Sequence, residues 1–222
     1  MNQKTVAMTF DDAVSNHATL AAPLLKKYHF NATFFVCEFP PDFATNKQQY
    51  MTWEQIKQLS DDGFEIGNHT LHHIGVINTP EDQLVAELRA LDDRFQQYGI
   101  PQSVSFAYPG GPCDQAAMDI VGRYGFKFAR SVAALPYRPG VDQPLNVPSF
   151  PVHDGDDSQA FYKAVAQADA QSIPVLLFHG IPEYTHPWVN TVPEHFETYL
   201  KYLADNHFRV IALRDLPTAA QA

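Results

Sequence analysis

KTVAMTFDDAVSN, residues 4–16, starts as an apolar, strand-like run and stops on two adjacent carboxylates. Successive side chains of an extended strand point to opposite faces, so neighbouring acids at a strand end are poorly placed to share one task. The same design, a short apolar run that ends in polar residues, recurs along the chain. KTVAMTF (4–10), ATFFV (32–36), FEIG (64–67), SVSFA (103–107), FKFAR (126–130), PSFPV (148–152), PVLLF (174–178) and RVIAL (209–213) read as strands. Longer segments of helical periodicity separate them, and that alternation points to an α/β domain with parallel strands. The expected architecture is a distorted TIM-like (β/α) barrel, complete or incomplete, with about seven to eight parallel strands. SVAALPYRPGVDQPLNV, 131–147, has Pro-containing turns and no clean period, so it is expected as a loop that interrupts the winding. Helix starts are also marked. Thr52 with Gln55 and Thr191 with Glu194 fit capping boxes, and Thr79 precedes Pro80 as cap and first-turn proline.

Composition narrows the function classes. A chain of 222 residues with 45% hydrophobic content fills one sizeable core, and without repeats or linkers it reads as a single domain over 1–222. Lys and Arg number 15 against 25 Asp and Glu, a formal charge of -10 with no basic cluster, which argues against nucleic acid as a partner. No stretch approaches the roughly 18 to 20 apolar residues of a membrane span, and MNQKTVAM lacks the apolar core of a signal peptide. A soluble chain is expected, with its compartment open. Cys37 and Cys113 lie too far apart in sequence to suggest a thiolate metal site or a disulfide framework.

The polar residues fall in a telling place. Asp11 and Asp12 follow the first strand, GNHTLHH (67–73) the third and YPGG (108–111) the fourth; Arg130 ends the fifth, and His179 in LLFHG (176–180) follows the seventh. In a parallel barrel the C-terminal strand ends share one rim, where residues a hundred positions apart meet. An open doubly wound sheet obeys a similar rule. His69 and His73, four apart, face the same way on a helical turn or in a compact loop. With one carboxylate, from Asp11 or Asp12, they make the two-nitrogen, one-oxygen set of catalytic zinc. Three protein ligands leave a position open for a water that loses its proton near neutral pH. The acid outside that set keeps its basicity and is free to accept a proton. His179 has the intrinsic pKa of a group that protonates a leaving atom, and the glycines of YPGG let a backbone N–H approach an oxyanion. Each feature also has a plainer explanation: a solvated histidine pair, acids that cap a turn, a core histidine, a tight turn. The shared rim weighs against those. His72 breaks the spacing and is expected outside the ligand set.

Taken in order, TFDD, HTLHH, FAYPGG and Leu177-Phe178-His179 resemble the motifs of the polysaccharide deacetylases with a NodB-homology domain, carbohydrate esterase family four. The resemblance runs nearly the length of the chain. It implies a distorted barrel, a divalent metal with Zn2+ the first candidate, and hydrolysis of an acetyl group from an acetylated carbohydrate at the cell envelope or exterior. By motif, Asp12, His69 and His73 correspond to the metal ligands, Asp11 to the general base and His179 to the general acid. Leu177 corresponds to the apolar contact for the acetyl methyl, and Gly110 to the backbone donor for the oxyanion. Two departures stand out. Ala13 replaces the usual glycine after the acid pair, which asks only that the turn avoid strained dihedrals. Ala107 stands where many members carry the arginine that orients the base. Arg130, at the end of the next strand, is the expected replacement. Tyr108, His153, Asp154, Tyr184 and Trp188 sit in post-strand loops from which a side chain could meet a sugar, Tyr108 and Trp188 foremost. Two other readings stay open: hydrolysis of a non-sugar amide or cyclic ureide on the same fold, and a carbohydrate-binding protein with a decayed site.

Overall fold

The computed structural model describes residues 4–154 and 159–218, with a strand in each apolar run named above. The strands are β1 (Thr5–Phe10), β2 (Thr33–Val36), β3 (Glu65–Asn68), β4 (Ser105–Ala107), β5 (Phe128–Arg130), β6 (Phe150–Pro151), β7 (Val175–Phe178) and β8 (Arg209–Ile211). Between them run α1 (Ala22–Lys27), α2 (Trp53–Asp61), α3 (Glu81–Gln97), α4 (Gln115–Tyr124), α5 (Ala160–Val165) and α6 (Pro193–Asp205). Every ladder is parallel, in the order β5-β4-β3-β2-β1-β7-β6, with β8 paired to Thr5–Ala7 of β1. This is a distorted, incomplete (β/α) barrel. Among the described residues no ladder joins β5 to β6. The irregular segment lies there instead: Val147 N–H donates to Ala129 at 2.8 Å beside β5, and Tyr137 exchanges backbone bonds of 2.9 and 2.8 Å with Ile173 ahead of β7.

Local chemistry explains some helix starts and corrects others. Thr52 Oγ1 accepts from Gln55 N–H at 3.2 Å and the Gln55 side chain accepts from Thr52 N–H at 2.8 Å, the full capping box. Thr191 forms no such box. Its hydroxyl donates to the Val152 carbonyl at 3.0 Å, and α6 begins instead at Pro193, whose missing N–H costs nothing in a first turn. Thr79 is likewise drawn away, donating to Gly75 O at 2.6 Å while Pro80 takes the cap position of α3.

Alternate residues of each strand face into the barrel, and the interior is tight. Phe35 on β2 and Gly67 on β3 are in register. A Cβ at Gly67 would lie 2.3 Å from the Phe35 ring, so only glycine lets that ring fill the space. Gly67→Ala is therefore expected to destabilise the fold by about 1–3 kcal/mol through overpacking. Equal urea midpoints for variant and parent would contradict this.

Candidate active site

The ladder between β1 and β7 sets the first part of the site. Phe10 pairs with Phe178, and Asp11 N–H donates to the Phe178 carbonyl at 3.0 Å, which puts Asp11 next to His179. Asp12 then leaves the strand, with φ +73°, and Ala13 follows at φ +52°. The sequence had asked this turn only to avoid strained dihedrals; the structure corrects that, because both residues are left-handed. The reason is geometric. A continued strand would send Asp12 to the far face, whereas the left-handed turn brings both carboxylates to one cleft, at a cost of about 1–2 kcal/mol per non-glycine residue.

His69 follows β3 directly, and the loop to His73 is compact rather than helical, with Thr70 and His73 left-handed at φ +57° and +54°. Asn68 Oδ1 accepts from Thr70 N–H and Thr70 Oγ1 accepts from Ile74 N–H, both at 3.0 Å, which folds the loop back. The imidazoles meet with centroids 4.9 Å apart. His69 Nδ1–H donates to the Ala107 carbonyl at 2.8 Å, which leaves Nε2 with a free lone pair. Burial pushes His69 down to about 4 and His73 down to about 3, so both rings are neutral at ordinary pH. Burial, with Asp11 and Glu183 nearby, pushes the Asp12 carboxyl well above its ordinary value.

These donors suit a divalent cation. Asp12 Oδ1 lies 3.6 Å from His69 Nε2 and 3.5 Å from His73 Nε2, and one donor atom from each of the three residues falls within 4.8 Å of the others. Zinc bonds of about 2.1 Å in a tetrahedral array separate ligand atoms by about 3.4 Å, so the observed spacing fits. The raised Asp12 carboxyl marks an acid whose charged form the protein neighbours alone leave uncompensated, a deficit that a bound cation would offset. His72 lies outside the set, exposed, with Nδ1 2.9 Å from Glu87 Oε1.

Asp11 is held differently. Ala107 on β4 and Arg130 on β5 are in register, so the Arg130 side chain rises one strand away from the position of the absent family arginine. Arg130 is 1% exposed; its Nη2 donates to Asp11 Oδ2 at 2.6 Å, and its guanidinium sits 5.4 Å from the Phe35 ring centre. Burial pushes Asp11 up, but the Arg130 guanidinium, with His69, His179 and His73, holds it below the usual carboxylate value. Oδ1 of Asp11 is buried without a hydrogen-bond partner. Burial lowers His179, while the Asp11 carboxylate works in the other direction.

Above these groups opens a cleft of about 410 Å³, with Leu177 low in it and walls that include Phe39, Val132, His186, Trp188 and Val189. Gly110 lines it too, exposed at the rim with φ +71°. Tyr108 does not. Expected at the sugar surface, it is fully buried: its ring packs edge-on against Phe106 and its hydroxyl donates to Leu145 O at 2.8 Å, so it belongs to the core. Asp154 is also committed elsewhere, accepting from Val192 N–H and, at 2.6 Å, from His195 Nδ1.

Several site residues had no signal in the sequence. Phe39 packs between His73 and His186 in tilted ring contacts, with centroids 4.6 and 5.3 Å away. Glu183 Oε1 accepts from Gln49 Nε2 (3.0 Å) and from the N–H groups of Thr185 (2.8 Å) and His186 (3.1 Å), which shapes the loop that carries Trp188. Asn16 and His17 bond to the loop after β7. Their partners lie more than a hundred residues away, so only the β1–β7 pairing makes them neighbours.

A family profile described as polysaccharide deacetylase matches residues 1–129. The chain belongs to the polysaccharide deacetylase family. Among curated relatives of this deacetylase-family chain, a peptidoglycan-N-acetylglucosamine deacetylase of Bacillus cereus is 29% identical over 128 residues, 57% of this chain and 55% of that protein. The peptidoglycan-N-acetylmuramic acid deacetylase PdaA of Bacillus subtilis is 28% identical over 127 residues, 56% of this chain and 45% of its own length. The chain thus spans about half the length of these relatives in the match. The fold is shared with a family 4 acetyl xylan esterase from Clostridium thermocellum, solved in complex with a cobalt ion, at TM-score 0.66 and 21% identity over 96% of this chain and 89% of that one. The structure of Bacillus subtilis PdaA gives TM-score 0.63 and 21% identity over 96% and 80% of the two chains. No helix among the described residues is long and apolar enough to cross a membrane.

Proposed function

We propose that residues 1–222 form one domain that hydrolyses acetyl groups from an N- or O-acetylated carbohydrate with the help of a divalent metal, zinc by its ligand preference. The observation that carries this reading is the Asp12, His69 and His73 donor set beside an Asp11 whose Oδ1 is buried and unbonded. When bound there, the cation would polarise the acyl oxygen and lower the pKa of a water in the cleft. The remaining work falls to the protein. Asp11, aimed by Arg130, accepts the proton of the attacking water. Gly110 N–H faces the oxygen that gains negative charge, and Leu177 receives the acetyl methyl. His179 gives a proton to the departing amine or alkoxide as the C–N or C–O bond breaks, so acetate and a free amine or alcohol leave. Trp188, 67% exposed beside the cleft, offers a face for a sugar ring. The relatives named as peptidoglycan deacetylases favour work at the cell envelope or outside the cell.

The cleft also favours an uncharged sugar. Of the 15 Lys and Arg, Arg130 alone lines it, and that side chain is already paired. A carboxylate on the substrate would meet apolar walls and buried acids, with only the imidazoles of His179 and His186 among the described lining residues to answer it, a costly transfer. Acetate release from chitin, peptidoglycan and xylan fragments tests the reading. The expected order places neutral fragments ahead of carboxylate-bearing ones by about tenfold, the equivalent of a lost charge-assisted bond. Hydrolysis of none of them by metal-loaded protein, or a preference for the carboxylated glycan, would overturn the respective part.

A further inference from the structure

His179 stands just beyond β7, and among the described residues no side chain hydrogen-bonds to its imidazole. The aim of the ring is therefore set by the backbone that carries it. That backbone is gripped from the chain just after the acid pair. His17 Nε2–H donates to the His179 carbonyl at 3.0 Å, Asn16 Oδ1 accepts from Ile181 N–H at 2.9 Å, and Asn16 Nδ2 donates to the Pro182 carbonyl at 2.7 Å. His17 is fully buried and cannot swing away, because the Phe10 and Phe34 rings sit 5.3 and 5.6 Å from it. A carbonyl accepts only from a protonated nitrogen, so the bond fixes the Nε2–H tautomer. Burial pushes His17 down to about 4, which keeps the ring neutral and that tautomer in place. Nδ1 is left buried without a partner, a cost that a purely space-filling side chain would not bear.

We infer that Asn16 and His17 are positioning residues: they clasp the backbone from His179 to Pro182 and thereby aim the His179 imidazole at the leaving group. The inference rests on the proposed role of His179 as proton donor. It couples the two ends of the reaction, since one short segment carries Asp11 at its start and fixes the acid partner at its end.

Leaving-group chemistry separates this role from simple structural support. Nitrophenolate departs without a proton, whereas alkoxides and amines need one, so a misaimed donor slows only the latter. The experiment compares zinc-loaded parent, His17→Leu, His17→Gln and Asn16→Ala on 4-nitrophenyl acetate, phenyl acetate, trifluoroethyl acetate and an N-acetylglucosamine tetramer. For His17→Leu the tetramer and the alkyl ester should lose about 100-fold in kcat, the nitrophenyl ester less than about threefold, at unchanged zinc stoichiometry. His17→Gln, which keeps an N–H near the same place, should recover at least about tenfold of the loss. Asn16→Ala, at a part-buried position, gives the same pattern more weakly and guards against a folding defect. Equal losses on all esters, or no loss, would overturn the clasp. If the parent cleaves the esters but no glycan, the carbohydrate reading falls while the ester slope still judges the clasp. If zinc-loaded parent cleaves none of them, both fall.

Discussion

Asp11→Asn and Asp12→Asn are expected to fail in opposite ways. Asp11 Oδ2 is tied to Arg130 and its Oδ1 is unbonded, while Asp12 Oδ1 sits between two imidazole nitrogens at 3.5 and 3.6 Å. An amide at position 11 cannot accept the proton of the attacking water, so kcat should fall by about 100- to 10,000-fold with zinc retained. An amide at position 12 removes the only anionic member of the donor set. Zinc affinity should then drop by more than the roughly 10- to 100-fold typical of changes one shell further out, with activity partly restored at high metal concentration. Metal content after dialysis and kcat at saturating zinc read the two effects separately. Equal loss of metal in both variants would contradict the division of labour.

Arg130→Leu should be the most damaging change to the fold itself. Arg130 and Asp11 form a pair whose side chains are 1% and 5% exposed, so deleting the cation leaves a buried carboxylate alone. Breaking such a pair costs about 3–5 kcal/mol. The pH dependence follows from the same contact. Because Asp11 is held below its ordinary pKa, the stabilisation is in full above the unfolded carboxylate value of about 3.9 and is lost as pH falls through the lower, folded value. Without the guanidinium, burial dominates and the Asp11 pKa rises. The acid limb of kcat/KM should therefore move to higher pH in Arg130→Leu. Arg130→Lys keeps a charge but not the planar fork, and should restore stability more than rate. An unchanged acid limb together with an unchanged urea midpoint would refute the assignment.

The fold was legible because its strands are short apolar runs buried on both faces, a pattern that needs no knowledge of partners. Their lengths were less so: PSFPV yields only Phe150–Pro151 as strand, since the chain there serves to bridge the seam beside β5. That His69 and His73 would meet one of the two acids followed from strand ends that share a rim, whereas the choice of Asp12 over Asp11 came with the family motif. Three things did not. The left-handed turn at Asp12 and Ala13 is dictated by the need for two carboxylates in one cleft, and neither residue advertises a positive φ. Tyr108 looked like a loop aromatic, yet its ring points back into the Phe106 cluster, a matter of side-chain direction. Thr79 and Thr191 carry cap chemistry but spend their hydroxyls on nearby carbonyls, an alternative these side chains always have.

The measurement that bears most directly on the central claim is acetate release from a neutral N-acetylglucosamine oligomer by chelator-stripped protein titrated with zinc. Activity should be absent before metal and rise linearly to a plateau at one zinc per chain, and His73→Ala should require far more metal for the same rate. Undiminished hydrolysis after stripping, or one tightly bound zinc without acetate release from any acetylated glycan, would contradict the account.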